Sequence, residues 1–369
     1  MFRSRKILES AQGAVVKINS KEYLNFCSND YLGLANNQTL KDSMINAIDE
    51  YGIGSGSSQL LTGHSKTHAI LEKKLAEFLQ RDAALVFSTG YQANLAIASV
   101  LIDSKTIVIQ DKNNHASLID AARLSGSKLL RYAHNDTGKL KTLLENNKNE
   151  SIVVMTDGVF SMDGDYALLN EIAELCSSFN AILVVDDAHG IGVLGKTGAG
   201  LLEELSLNQD QVPLLIGTFG KAFGASGAFI SGSEELIEAF IQKARTYIYT
   251  TALLPAVAAT MITAIELVKN GNHFREQIKT LVSYYIKQFN QIEPGATISK
   301  SHIQPFIIGD ASETVNLGNK LFDKNILASA IRPPTVTKGT SRLRLSLTAA
   351  HTTSQVDTLI NAIHEAKTE

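Results

Sequence analysis

Five short runs of this chain are apolar without any alternation of apolar and polar residues. Such runs are typical of strands that are buried on both faces, as in a parallel sheet covered by helices. Segments of helical periodicity separate them, so the order of elements predicts an α/β core over roughly residues 40–250. The strand runs are AALVFS (83–88), TIVIQD (106–111), SIVVMTD (151–157), AILVVDD (181–187) and PLLIGT (213–218), and the helical segments are 68–80, 93–101 and 169–179.

The pattern changes after Pro255. A helical stretch is predicted over 256–291, strands over 302–309 and 342–347, and an amphipathic helix over 354–366. We therefore expect a mostly parallel central sheet with helices on both faces, followed by a smaller C-terminal α+β domain. The predicted divisions are an N-terminal segment at 1–40, a large domain at 41–255 and a small domain at 256–369.

Composition narrows the class of protein. The chain has 369 residues, 44% of them hydrophobic, and a net charge of −3, so neither nucleic acid nor a membrane is expected as a partner. The longest apolar stretch, 253–265, is too short to span a bilayer. Two cysteines cannot form a disulfide framework, and the first ten residues lack the apolar centre of a signal peptide. The expected location is the cytoplasm.

One glycine-rich segment matches two phosphate-binding patterns. GIGVLGKT (190–197) fits both the P-loop and, over its first six residues, G-x-G-x-x-G. Both patterns need a helix immediately after the loop, because the phosphate sits at the helix N-terminus. Gly198 and Gly200 disfavour a helix that starts at Lys196. Nucleotide binding therefore stays as the alternative, and a chance match is the favoured interpretation.

Polar residues follow all five predicted strands. In an open α/β sheet, ligands bind at the carboxyl ends of the strands, so these side chains are expected to lie near one another. One polar residue at a strand end is usually structural, whereas five strand ends that each carry polar groups point to a site. The residues are Tyr91; His115; Ser161 and Asp163; Asp186, Asp187 and His189; and Thr218 and Lys221.

These residue types suit pyridoxal phosphate. This cofactor needs a lysine for covalent attachment, an acid beside its ring nitrogen and a cup for its phosphate. Lys221, flanked by glycines, is the candidate lysine, and Asp186 is the candidate acid. His189 could bind the ring hydroxyl, and His115 could stack on the ring.

A predicted helix start provides the phosphate cup. Gly90 and Tyr91 open a predicted helix, where backbone N–H groups and the helix dipole favour an anion. Thr218 could add a hydroxyl. Taken together, the strand-end residues predict a pyridoxal-phosphate enzyme.

Other chemistry was weighed against this one. His64 and His68 are four residues apart and could share a metal, but a role at a helix start is favoured because no third ligand is evident. Asp157 and its neighbours at strand ends could form a catalytic carboxylate pair, although Asp at such positions often caps the backbone. There is no G-x-S-x-G nucleophile motif. A non-enzymatic binding module remains possible if no cofactor binds.

Seven motifs occur in an order that is recognisable. They are NFCSNDYLGL (25–34), GIGSGS (52–57), STGYQAN (88–94), NNHASL (113–118), GVFSMDGD (158–165), VVDDAHGIGVLG (184–195) and TFGKAFG (218–224). Together they resemble the α-oxoamine synthases, which are fold-type-I pyridoxal-phosphate-dependent enzymes, over nearly the whole chain.

The resemblance implies roles for individual residues. Lys221 would bind the cofactor covalently, Asp186 and His189 would contact its ring, and His115 would stack on it and also meet substrate. Gly90, Tyr91, Ser161 and Thr218 would line the cofactor. The family's active sites lie at a homodimer interface, and Thr250 or Thr251 would reach the phosphate of the partner subunit.

Three further segments narrow the resemblance. HND (134–136), IRPPTV (331–336) and RLRLSLTAAH (342–351), together with DDAHG (186–190) inside the sixth motif, favour the members of biotin biosynthesis, which condense L-alanine with a pimeloyl thioester of CoA or of acyl-carrier protein. Glycine acetyltransferases and aminolevulinate synthases tend to lack the IRPPT-like segment. By the same resemblance, Arg3 and Thr335 would contact substrate, and Arg344 would bind the alanine carboxylate. A pimeloyl chain ends in a second carboxylate that needs a cation, and Arg332 is the candidate for it.

Overall fold

The computed structural model describes residues 5–368. The strands of this part of the chain are β1 (Val15–Ile18), β2 (Lys21–Asn25), β3 (Ala83–Phe87), β4 (Ile107–Asp111), β5 (Lys128–Tyr132), β6 (Ile152–Asp157), β7 (Ile182–Asp186), β8 (Leu214–Thr218), β9 (Ala228–Gly232), β10 (Ile303–Gly309), β11 (Ile326–Leu327), β12 (Ser329–Ile331) and β13 (Ser341–Ser346). The helices are α1 (Gln38–Tyr51), α2 (Lys66–Leu79), α3 (Gly90–Val100), α4 (Ala116–Leu124), α5 (Thr137–Asn146), α6 (Leu169–Ser178), α7 (Leu201–Glu204), α8 (Glu234–Lys243), α9 (Arg245–Ile248), α10 (Pro255–Asn270), α11 (Asn272–Ile292), α12 (Ala311–Asp323) and α13 (Thr353–Thr368). A π-helical turn, Gln59–Gly63, precedes α2.

Seven strands form the central sheet in the order β3-β9-β8-β7-β6-β4-β5. Strands β5, β4, β6, β7 and β8 run parallel, and β9 is antiparallel to both β3 and β8. The predicted α/β class with a mostly parallel sheet is confirmed. All five apolar runs are strands of this sheet. The prediction missed β5, which is a half-exposed edge strand with charged residues, and β9, which lies in a glycine-rich segment.

The described chain divides into two compact units. The larger one comprises Gln38–Phe160 and Tyr166–Asn272, and it contains the central sheet. The smaller one comprises the described residues up to Asn37, the short segment Ser161–Asp165, and the residues from His273 onward. This division differs from the predicted segments, because the chain start and the short segment group with the C-terminal part.

The long helical stretch predicted after Pro255 is two helices. Helix α10 ends at Asn270 and α11 starts at Asn272, with Gly271 between them. Glycine costs about 1 kcal/mol relative to alanine inside a helix, which makes it a favourable point for a break. Helix α10 packs against α1 and α2 in the larger unit, whereas α11 belongs to the smaller unit.

The core of the larger unit explains the apolar runs. Every residue of β4 and β6 is buried, because helices cover both faces of the sheet. The smaller unit holds two three-stranded sheets, β1-β2-β11 and β10-β13-β12. Within residues 5–368, no helix is both long and apolar enough to cross a membrane.

Candidate active site

A cavity lies at the carboxyl ends of β4, β6, β7 and β8 in the larger unit. It brings together seven residues that the sequence placed in one cofactor site, and six neighbours that it did not. The predicted residues are Gly90, Tyr91, His115, Asp186, His189, Thr218 and Lys221; the further lining residues include Asn94, Ser117, Asp157, Ala188 and Gly217.

Asn94 links two of the predicted residues. Its side-chain amide donates to Asp186 Oδ2 at 2.7 Å and to the Ser117 hydroxyl at 2.8 Å. Ser117 in turn contacts the His115 ring, at 2.7 Å from Oγ to Nδ1. Asn94 and Ser117 are 2% and 0% exposed, so their part of this chain of hydrogen bonds is shielded from water, whereas His115 is exposed. Sequence reasoning missed Asn94, although its place one turn into α3, within STGYQAN, was available as a signal.

His115 caps α4, and this fixes its ring. The Ser117 N–H donates to His115 Nδ1, so Nδ1 is an acceptor and the neutral ring carries its proton on Nε2. Desolvation lowers the pKa of His115, Asp186 opposes this shift, and Lys221 adds to it. The main-chain N–H of His115 donates to Asp157 Oδ2 at 3.0 Å. His115 is therefore fixed in orientation through both its ring and its backbone N–H.

The start of α3 forms one wall of the cavity. Thr89 caps this helix by accepting from the Gln92 N–H, and Gly90 and Tyr91 follow as its first two residues. The first N–H groups of a helix have no partner within it, and they line this cavity. A Cβ on Gly90 would meet nothing closer than Thr218 Oγ1 at 4.0 Å, so glycine leaves open a space that a side chain would fill.

Lys221 lies in a turn between β8 and β9 and is half-buried. The Gly220 N–H donates to Thr218 Oγ1, and the Gly224 N–H donates to the Lys221 carbonyl. The turn returns to β9 through Gly227, which has a φ of +105°. This left-handed geometry explains a glycine at that position. The turn fixes the backbone of Lys221 beside Thr218.

The turn after β7 is organised by Asp187. Its Oδ2 accepts from the Leu201 N–H at 2.6 Å, and its carbonyl accepts from the Gly190 N–H. Burial raises the pKa of Asp187 to about 8. Because Asp186 and His189 flank this residue in the same turn, their backbone positions depend on it. Both line the cavity and both are buried.

The P-loop alternative is wrong. No helix starts at Lys196, and the next helix, α7, begins at Leu201. The N–H groups of Thr197 and Ala199 donate to the Glu203 carboxylate, and the Gly195 N–H donates to Glu204. A carboxylate of the chain itself thus takes the donors that a phosphate would need.

Two predicted site residues of the smaller unit, Ser161 and Arg344, are joined by a hydrogen bond. Arg344 donates through Nε to the Ser161 carbonyl and through its terminal nitrogens to Ser346, Asn29 and Tyr31. Its guanidinium is buried and held in one orientation. Asn29, in the motif NFCSNDYLGL, is a contact that the sequence did not assign.

Arg332 and Thr335 line a separate groove of about 1260 Å³ within the smaller unit. Its described lining also includes Lys6 and Lys338, and no aspartate or glutamate. Arg3 lies outside the described residues. In the larger unit, Thr250 accepts a hydrogen bond from the Gln92 side chain at 3.2 Å.

The histidine pair is structural. His68 forms a capping box with Ser65 at the start of α2, as the favoured interpretation predicted. The two rings lie 5.6 Å apart, and His68 also contacts the Leu253 carbonyl at 2.7 Å. Residues 5–368 contain no group of three or more side chains placed to hold a metal ion.

The cavity fits pyridoxal phosphate by the chemistry of its donors. One amine, one hydrogen-bonded carboxylate and a helix start with an open glycine meet within it. Two buried side-chain oxygens at its wall, Asn94 Oδ1 and Asp157 Oδ1, have no hydrogen-bond partner among the described residues. A polar ligand would suit such a lining.

Comparisons with known proteins agree with this chemistry. The family model "Aminotransferase class I and II" matches residues 21–363. An 8-amino-7-oxononanoate synthase of Hahella chejuensis is 48% identical over 99% of this chain and 92% of its own length. The same enzyme of Thioalkalivibrio sulfidiphilus is 46% identical over 98% of this chain and 93% of its own length.

Solved structures give the same fold. A serine palmitoyltransferase from S. paucimobilis with bound PLP superposes with a TM-score of 0.94 at 28% identity, covering 99% of this chain and 92% of the other. An 8-amino-7-oxononanoate synthase from Francisella tularensis superposes with a TM-score of 0.83 at 31% identity, covering 94% and 98%.

Proposed function

The chain belongs to the family of class I and II aminotransferases, and we propose that it uses pyridoxal phosphate to condense L-alanine with a pimeloyl thioester. The products are 8-amino-7-oxononanoate, CO2 and the free thiol carrier, and the reaction belongs to biotin biosynthesis. The observation that carries this proposal is that Lys221 and Asp186 line one cavity, in a chain whose nearly full-length relatives are 8-amino-7-oxononanoate synthases.

We assign the cofactor to residues of the larger unit. Lys221 holds it covalently, and Asp186 keeps a proton on the ring nitrogen. His115 covers one ring face, and His189 donates to the ring hydroxyl. Support comes from the shared cavity and from the hydrogen bonds that fix Asp186 and His115.

The phosphate is assigned to the start of α3. The N–H groups of Gly90 and Tyr91 and the Thr218 hydroxyl bind it, whereas Ser161, which the sequence also predicted, is not among the residues that line this cavity. Helix N-termini favour anions through their free N–H groups and the helix dipole. The open space beside Gly90 supports this assignment.

Pyridoxal phosphate supplies an electron sink for the carbanion that forms at the amino acid. The work of the chain is then to move one proton and to orient two substrates. We assign to the Lys221 amine the removal of the proton from Cα of alanine and the return of a proton after CO2 is lost. The neutral Nδ1-acceptor form of His115 leaves its Nε2–H able to donate to substrate.

Arginines are assigned to the substrate carboxylates. A guanidinium offers a planar pair of donors that matches a carboxylate. Arg344 binds the alanine carboxylate, and its fixed orientation supports this role. Arg332, with Thr335 and Arg3, binds the acyl donor. The groove that Arg332 and Thr335 line carries cations and no acid among its described residues, as an anionic acyl donor requires.

We further propose a cytoplasmic homodimer whose subunits share active sites, with Thr250 reaching the phosphate of the partner subunit. Apolar side chains of the larger unit are exposed at Ile53, Leu61 and Tyr249, and Tyr249 adjoins Thr250 in sequence. A subunit contact would remove them from water. Cys27 and Cys176 form no disulfide, which suits a reducing compartment.

Replacement of Lys221 tests the assignment of the reaction. We expect Lys221→Ala to lose the visible absorption of covalently bound cofactor and the formation of 8-amino-7-oxononanoate, measured by spectroscopy and mass spectrometry. Lys196→Ala is the matched control, because Lys196 also lies in a glycine-rich loop but not in the cavity, and it should keep both. Product formation by the Lys221→Ala protein would overturn the assignment.

Substrate choice is tested with the wild-type enzyme. L-alanine should perturb the absorption of the bound cofactor, whereas glycine and L-serine should do so weakly. Pimeloyl-CoA and pimeloyl-acyl-carrier protein, supplied separately with alanine, identify the acyl carrier by their kcat/KM values. A response to glycine or serine as large as that to alanine would assign the chain to a different condensation.

A further inference from the structure

Two aspartates sit side by side at the edge of the central sheet. Asp157 ends β6, Asp186 ends β7, and the two are register partners in the parallel ladder. Neighbouring strands lie about 4.8 Å apart, so the two carboxyl groups are close. Both residues are nearly buried, at 3% and 8% exposure, and both line the cavity with Lys221.

The two carboxyl groups have unequal hydrogen bonds. Asp186 accepts on both oxygens, from the Asn94 amide at 2.7 Å and from the Ala188 N–H at 3.1 Å. Asp157 accepts on Oδ2 from the His115 N–H, while its Oδ1 has no partner among the described residues. Donors stabilise a carboxylate, whereas a buried oxygen without donors destabilises it.

Two of the three charged groups near Asp157 also favour its protonated form. Asp186 and Asp111 both disfavour a second negative charge at this position, and Lys221 favours it. Burial is the largest influence, and the pKa of Asp157 is raised well above its usual value. Two close buried carboxyl groups hold one proton between them more readily than none, and that proton resides on the group with fewer donors.

We propose that Asp157 is a positioning residue that works as a neutral acid: it holds the backbone of His115 through Oδ2 and leaves Asp186 as the carboxylate that faces the cofactor. The positioning role rests on the function proposed above. The location of the proton does not, because it follows from the neighbours of the two aspartates alone.

The positioning role follows from the place of the contact. His115 is the first residue before α4, and its N–H is bound by Asp157 from the adjacent strand β6. A neutral acid keeps an acceptor for this N–H without adding a second negative charge beside Asp186. An ionised Asp157 would compete with Asp186 for the positive charge at the cofactor ring.

The same isosteric change at both positions tests the location of the proton. Infrared spectra of the full-length enzyme are compared between wild type and Asp157→Asn, and between wild type and Asp186→Asn, at pH 7. The difference spectrum for Asp157→Asn should contain the carbonyl stretch of a protonated carboxylic acid. The difference spectrum for Asp186→Asn should contain the paired bands of a carboxylate. Carboxylate bands in the Asp157 difference would overturn the proposal. The spectra are recorded with cofactor bound and after its removal, so failure to form product leaves this test intact.

Rescue by the conservative variant tests the positioning role. Asp157→Leu removes the acceptor for the His115 N–H and should weaken pyridoxal phosphate binding about tenfold, as expected for one unpaired buried N–H. Asp157→Asn keeps an acceptor and should restore most of that loss. Circular dichroism reports whether the Leu variant is folded. Equal affinities of the Leu and Asn variants would contradict the role of the contact with His115.

Discussion

Two segments of the larger unit, one with a single glycine and one rich in glycine, follow buried strands, and their main-chain N–H groups differ in what binds them. At Ser88–Asn94, Gly90 and Tyr91 open α3 and line the cavity. At Gly190–Gly200, donors at Thr197 and Ala199 are bound by Glu203. The second segment has the better match to a phosphate-binding pattern, yet the first has the open donors. Glycine spacing permits a phosphate loop, but the occupancy of its N–H groups decides whether one exists.

The largest expected effect is on the stability of the segment Gly190–Gly200, whose main-chain donors are bound by Glu203. Gly200 has a φ of +100°, and a Cβ there would lie 2.2 Å from Asp187 Oδ2. Backbone strain and overpacking each cost about 1–3 kcal/mol, so Gly200→Ala should lower the free energy of unfolding by about 3 kcal/mol. Urea unfolding of the cofactor-free chain measures this. Gly52→Ala is the control, since Gly52 has a φ of +73° but nothing within 4 Å of its Cβ. Equal losses in both variants would show that Asp187 does not crowd Gly200.

The next effect is at the segment Ser88–Asn94 and concerns the affinity for pyridoxal phosphate rather than stability. In Gly90→Val, the new side chain occupies the space beside Thr218 and should weaken pyridoxal phosphate binding about 10- to 100-fold, in line with an overpacking cost of about 1–3 kcal/mol. Equilibrium titration of the cofactor-free chain measures the affinity. Gly138→Val is the control, because Gly138 also lies in the first turn of a helix, α5, away from the cavity. Unchanged affinity in Gly90→Val would remove the start of α3 from the phosphate site.

Removing the carboxylate that binds the N–H groups of Gly190–Gly200 should not convert this segment into a nucleotide site. Glu203→Ala leaves the N–H groups of Thr197 and Ala199 without their acceptor, and we expect a loss of about 1–2 kcal/mol in the free energy of unfolding. Glu204→Ala removes the acceptor of the Gly195 N–H alone and should cost less. Calorimetric titration with ATP should show no binding in either variant. ATP binding by Glu203→Ala would mean that the loop shape alone suffices for a phosphate.

A further effect, spread over several pH units, is a dependence of stability on pH. The pKa of Asp187 is about 8 in the folded chain, against about 3.9 for an unperturbed aspartate. Above pH 4 the unfolded chain releases this proton while the folded chain keeps it, so stability falls as pH rises toward 8. The slope is at most about 1.4 kcal/mol per pH unit. Asp187→Asn should lack this component when unfolding is followed from pH 5 to 8. Parallel curves for the two proteins would contradict a protonated Asp187.

Sequence reasoning placed most of the cavity because parallel strands end on one side of a sheet. Asp186, His115, Thr218 and Lys221 each follow a strand that the apolar runs predicted, and all four line one cavity. Two strands of the central sheet escaped prediction, because β5 lacks a continuous apolar run and β9 is part of a glycine-rich segment. The helix break at Gly271 was also missed, because the apolar periodicity continues on both sides of it.

The contacts that sequence reasoning missed join residues that are far apart in the chain. Asn94 meets Asp186 from 92 positions away, and Asp157 meets the His115 backbone from 42 positions away. No local pattern encodes such pairs, since a hydrogen bond depends on distance and direction between groups that only the assembled sheet brings together. The Glu203 contact is short in sequence, yet it too depends on how the loop folds back onto α7.

The sequence by itself determined the α/β class, the chemical groups of the site and their arrival at strand ends, because burial of apolar runs and the direction of parallel strands follow from local pattern. The tertiary structure decided that the main-chain N–H groups at the start of α3 stay open, whereas those of 190–200 are bound by Glu203. It also decided that Asp186, and not Asp157, has two hydrogen-bonded oxygens. Both outcomes depend on which donors and acceptors lie within about 3 Å of each other after water has been excluded.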